Sequence, residues 1–99
     1  MQFTGGIRYG ANYFFSIRAG SPLTKLTIEP DFLTLSTFLM RDFRFEKNQI
    51  QRLSEYSVCL SSGIQIGHSV EDYPSFIVFS TFNINGVKAG LIQNGYDLA

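Results

Sequence analysis

From Tyr13 to Thr81 apolar and polar side chains alternate with a period of two, the mark of strands that bury one face. "YFFSIR" sets Tyr13, Phe15 and Ile17 on one side. "TKLTIEPDFLTLST" holds two alternating runs, with Leu26 and Ile28 facing one way in the first and Leu33 and Leu35 in the second. Between them "EPDF" has turn chemistry: Pro30 presets φ and Asp31 can close the turn, so a hairpin is expected. "RDFRFEK" places Phe43 and Phe45 inward and Asp42, Arg44 and Glu46 outward, and Lys47 to Gln49 read as a short turn into Ile50. In "IQRLSEYSVCL" the phase slips between Leu53 and Tyr56, which predicts a bulge there. "GIQIGHS" alternates again, and "PSFIVFST" is apolar on both faces, as in a covered strand.

The last segment changes period. "NINGVKAGLIQNGYDLA" spaces Ile84, Val87, Leu91 and Ile92 at helical intervals, with Asn83 or Asn85 as N-cap and Gly95 just past the end. Gly86 and Gly90 each weaken this helix by up to about 1 kcal/mol relative to Ala, so it is expected to be stable only when docked. Residues 1–12 carry three glycines and few apolar side chains, and read as a flexible or accessory N-terminal arm. The predicted fold is mainly β, about seven antiparallel strands capped by one C-terminal helix.

Composition sharpens this picture. The 99 residues suffice for one domain; ten Phe and five Tyr without Trp make an aromatic core suited to strands. Eight basic and eight acidic residues cancel, which argues against nucleic acid as a partner. Cys59 stands alone, so no internal disulfide forms, and a reducing compartment fits; it reads as a small buried hydrophobe. The opening "MQFTGGIRYG" shows no signal-peptide pattern, and no apolar run nears the ~18 residues of a membrane-spanning helix. The expected location is the cytoplasm.

The order of elements, together with "LTIEPDFLTLS", "FEKNQI" and the closing "GIQIGHSVEDYPSFIVFSTFNINGVKAGLIQNGY", resembles small bacterial proteins with a pleckstrin-homology (PH)-like domain. In them a strand bearing a His leads through a Tyr-Pro loop to a "FIVF"-like strand and a short helix. The likeness covers Tyr13 to Tyr96, and departs from the pattern at Phe45-Glu46, where a Trp follows an aliphatic-Pro pair. It implies a PH-like barrel over residues 13–99 that works as a binding module and not as an enzyme. Phosphoinositide recognition is not expected: "RAGSPLTK" has only Arg18 and Lys25 at its edges, and the next loop offers Glu29 and Asp31.

Two places carry candidate function. In "STFLMRDF" the adjacent Phe38, Leu39 and Met40 either cover an open end of the barrel on strands that run longer, the plainer reading, or fall at a loop tip as a contact surface for a protein partner or a membrane interface. Arg41 and Arg44 flank it and can assist at an anionic surface, which Asp42 and Glu46 blunt. His68, the only histidine, lies beside Ser69, Glu71 and Asp72 without a second His or a catalytic spacing. Its expected role is structural; the alternative is a small-ligand or hydrolytic site. Arg41, Arg44, Lys47 and Arg52 alternate with acids and read as a solvated face. No catalytic residue, metal or cofactor is expected. The function expected is protein interaction, including self-association by pairing of the "YFFSIR" edge with a neighbouring chain.

Overall fold

A computed structural model describes residues 1–58 and 61–99. The chain forms β1 (Gln2–Gly10), β2 (Ser16–Ile28), β3 (Phe32–Thr37), β4 (Phe43–Glu46), β5 (Ile50–Val58), β6 (Ser61–His68) and β7 (Phe76–Thr81), followed by α1 (Ile84–Gln93). All pairings are antiparallel, in the order β4-β3-β2-β1-β7-β6-β5, and the sheet curls into a half-barrel. The fold class is therefore the expected one: mainly β, seven strands, one C-terminal helix. Cys59, read above as a buried hydrophobe, lies outside the described residues.

Inward positions match the alternation over most of the sheet. Leu26, Ile28, Leu33, Leu35, Phe43 and Phe45 are buried together with Ile64, Ile66, Ile77 and Phe79. Thr24 and Thr37 face each other across β2 and β3, and their hydroxyls close a buried hydrogen bond of 2.9 Å. Phe76 and Val78 are buried on the opposite face of β7, so this strand is covered on both sides.

The first two strands differ from expectation. Residues 1–12 are not an arm: β1 sits in the middle of the sheet, paired with β2 on one side and β7 on the other. "YFFSIR" is not a strand of its own. Phe14 and Phe15 lie in the β1–β2 turn and are exposed, and β2 begins only at Ser16. The turn is held by the Asn12 side chain, which accepts from the amides of Phe14 and Phe15. Residues 18–25 are not a loop either, because β2 runs through them. Between Gly5 and Ile7 of β1 the partner moves from Thr24 to Ala19, so the intervening residues of β2 bulge.

In β5 the register shift lies between Ile50 and Arg52, not between Leu53 and Tyr56. Leu53 and Glu55 share the inner face, and Glu55 reaches Lys88 of α1 at 2.9 Å. Tyr56 faces the other way and packs edge-on to Phe76, with ring centres 5.7 Å apart. The apparent slip was a charged residue at an inward position near the sheet margin.

The helix plugs the concave face. Asn83 is the N-cap, its side chain accepting from Gly86 N. Val87 and Leu91 are buried in the core; Ile92 points to solvent. Gly90 lets the helix rest on β1, since a Cβ there would come within 2.5 Å of Met1 Sδ and 3.2 Å of Phe3. Gly95, at φ 85°, ends the helix: its amide donates to Ile92 O and that of Tyr96 to Leu91 O, both at 3.0 Å. This paired pattern is the Schellman motif, and its usual apolar contact is made by Tyr96 with the core.

Tyr96 then fastens the far end of the sheet by donating its hydroxyl to Glu29 O at 2.7 Å. Burial pushes its phenol from 10.0 up to about 12, helped by the nearby carboxylates of Asp31, Glu29 and Glu46. The folded-state value lies above the unfolded one, so this contribution is intact below pH 10 and is lost as pH rises toward about 12. Urea unfolding as a function of pH is expected to show stability falling across that window. Tyr96→Phe should be about 1 kcal/mol less stable at neutral pH yet decline less between pH 10 and 12. Parallel declines in both proteins would contradict this assignment.

Candidate functional site

His68 ends β6 and closes the loop to β7. Val70 N–H donates to Nδ1 at 3.0 Å, so that nitrogen is unprotonated. Nε2–H then donates to Pro74 O at 2.7 Å. The neutral ring spans its own loop at both nitrogens and lies 5.0 Å from Phe45 and 6.0 Å from Tyr73, centre to centre. Tyr73 in turn packs on Phe43 and Phe45, and its hydroxyl accepts from Arg44 N–H at 3.1 Å. That amide belongs to the outer edge of β4, the last strand of the sheet. The His68 loop is thus a clasp that lays Tyr73 over an edge otherwise open to pairing. Glu71 and Asp72 point to solvent, and among the described residues no three His, Cys, Asp or Glu side chains converge as metal ligands.

The "STFLMRDF" residues do form a loop, between β3 and β4. Phe38 is 68% and Leu39 89% exposed, and Leu39 takes φ 60°, a left-handed value uncommon outside glycine. Met40 is half-buried. The two arginines do not join the tip. Arg41 stacks over Phe43 and Tyr73, at 5.1 Å from each ring centre. Arg44 lies 3.8 Å over Phe32 and pairs with Glu46 at 2.9 Å. Lys47 similarly covers Tyr96. The solvated face is exposed as expected, but three of its four cations, Arg41, Arg44 and Lys47, also lie over aromatic rings.

The loop tip and a second exposed apolar group lie at the two ends of one stretch of β2. Phe38 N–H donates to Leu23 O at 3.0 Å, the last backbone bond between these two segments. Beyond it β3 has ended, so Ser16 to Ala19 of β2 is paired with β1 alone, and Gly20 to Pro22 form the bulge. This open edge is bracketed by exposed Phe14, Phe15 and Ile17 at one end and by Leu23, Phe38 and Leu39 at the other. The sequence showed both apolar groups but not that one stretch of β2 spans them, because the length of β2 past β3 follows from the register.

Sequence reasoning missed a further feature, a half-open trough of about 230 Å³ on the sheet face opposite α1. Gly6, Ser80 and Gly63 cross its floor on β1, β7 and β6. Arg8, Arg18 and Tyr13 rise on one side and Tyr56 and Phe82 on the other. The available signal was "TGGIRYG": glycines inside a strand mark a close approach of backbone or ligand.

No family model, curated protein or solved structure matches the chain.

Removing the clasp tests the reading of His68. His68→Ala loses both loop hydrogen bonds and the Phe45 contact, and is expected to lower stability by about 2 kcal/mol in urea unfolding. A loss under roughly 0.5 kcal/mol would show that the ring is idle in the fold.

Proposed function

We propose that the chain is a non-enzymatic binding module of the PH-like kind, working in the cytoplasm, that associates with a second copy of itself through the open edge of β2. The observation that carries this reading is the stretch Ser16 to Ala19, paired with β1 on one side and with no strand on the other. Edges of this sort pair with other chains unless they are short, charged or covered. The β4 edge is covered by Tyr73, whereas the β2 edge, although it carries Arg18, is uncovered and flanked by exposed phenylalanines and leucines. Two copies aligned antiparallel would extend the sheet and bring Phe14 and Phe15 of one against Phe38 and Leu39 of the other. The seven antiparallel strands followed by a docked helix support the PH-like assignment.

A membrane surface is the weaker use of the same tip. Phe38 and Leu39 are exposed enough to insert, but Arg41 and Arg44 are held over rings and the loop ends on Asp42.

Light scattering across a concentration series decides the matter. The wild-type chain should reach twice the monomer mass, and Ile17→Lys, which sets a charge on the edge, should remain monomeric with its fold intact. A wild-type chain that stays monomeric throughout, or an Ile17→Lys protein that still dimerises, would overturn the proposal.

A further inference from the structure

Beyond self-association, the trough opposite α1 has the chemistry of a ligand site. We propose that it binds a small organic anion, a carboxylate or phosphate carried on a flat apolar ring.

The charge comes from Arg8 and Arg18, which stand directly opposite each other on β1 and β2. Like charges facing across a ladder repel, and such pairs are tolerated where something neutralises them. Among the described residues nothing does so here: no carboxylate lines the trough, and the two ion pairs lie elsewhere. The net charge of the whole chain is zero, so this is a local concentration of positive charge in a neutral molecule.

Arg8 is also held in place before any ligand arrives. Its NH1 donates to Tyr13 O at 3.3 Å and to Ser16 Oγ at 3.1 Å, and its guanidinium carbon lies 4.3 Å over the Tyr13 ring. A planar fork fixed in this way keeps its remaining N–H groups for an oxyanion. Arg18 makes no hydrogen bond or ion pair among the described residues and can close from the opposite strand.

The apolar part follows from the floor and the far wall. Gly6 and Gly63 flank Ser80 in one row across three strands, so along that row the only side chain is a hydroxyl, with Val78 Cγ1 next to Gly63. At Gly6 a Cβ would sit 2.6 Å from Ala19 O, because the β2 bulge folds over this point. Val78 adds an apolar base, and Tyr56 and Phe82 supply ring faces or edges. Phe82 is 91% exposed, so stacking a ligand on it removes apolar surface that the fold leaves in water. At about 230 Å³ the space suits a single-ring ligand and lies below the usual range for larger organic molecules.

Amide chemical shifts test this, with phenyl phosphate and benzoate as probes and with phenol and inorganic phosphate as partial probes. Saturable shifts at Gly6, Gly63 and Ser80 are expected for both aromatic anions. Phenol, lacking the charge, and inorganic phosphate, lacking the ring, should each bind about tenfold more weakly or worse. Arg18→Gln should lose about tenfold in affinity while melting no lower than the wild type, since the repulsion is relieved; Arg8→Gln repeats the test from the other strand. The proposal is overturned if neither aromatic anion shifts these amides saturably, if inorganic phosphate or phenol binds as tightly, or if both arginine variants keep full affinity.

Discussion

The backbone ladder of β1 holds the two halves of the sheet together. On one side lie β2, β3 and β4, on the other β7, β6 and β5, and no strand besides β1 bridges the two groups. Each half alone would be a three-stranded sheet whose core-facing side chains lack the partners they pack against in the whole. Joined through β1, they curl around one core that runs from Leu33 and Phe45 to Ile66 and Leu53. The N-terminal residues thus carry a constraint out of proportion to their hydrophobicity, since their backbone amides and carbonyls must be paired on both sides.

Three devices finish what β1 begins. Helix α1 covers the concave face, and Gly90 lets Met1 and Phe3 pass beneath it. Tyr96, placed by the Gly95 turn, ties the end of the helix to the β2–β3 turn at Glu29. The His68 loop brings Tyr73 onto the β4 edge, where rings from β1, β4 and the loop meet. Each device closes an opening left by the half-barrel. The edge of β2 between Ser16 and Ala19 has no such cover, and this contrast motivates the proposed self-association.

Legibility in the sequence followed burial. Where one face is buried and the other wet, as in Leu33 to Thr37 or Phe43 to Glu46, alternation located strand and face alike. The helix was readable because Asn83 and Gly95 punctuate it and Val87 and Leu91 keep helical spacing. β1 was not readable, since its glycines have low strand propensity and are held by two neighbours whose positions are tertiary facts. "YFFSIR" misled for the opposite reason: its aromatics resemble an inward face but sit at a turn in solvent. The tip at Phe38 and Leu39 was legible as a loop, whereas Arg41 and Arg44 were not, because stacking on a ring leaves no mark in charge order. The trough left only the glycines of "TGGIRYG" as a trace, because it arises from register across five strands.

Amide hydrogen exchange along β1 tests the central role of that strand most directly. Ile7, Arg8 and Tyr9, flanked by β2 and β7, should exchange with the slowest amides of the core, on the order of a thousandfold or more below free peptide. Exchange at these three positions within about tenfold of free peptide, while β3 and β7 stay protected, would show that the sheet holds without its middle strand.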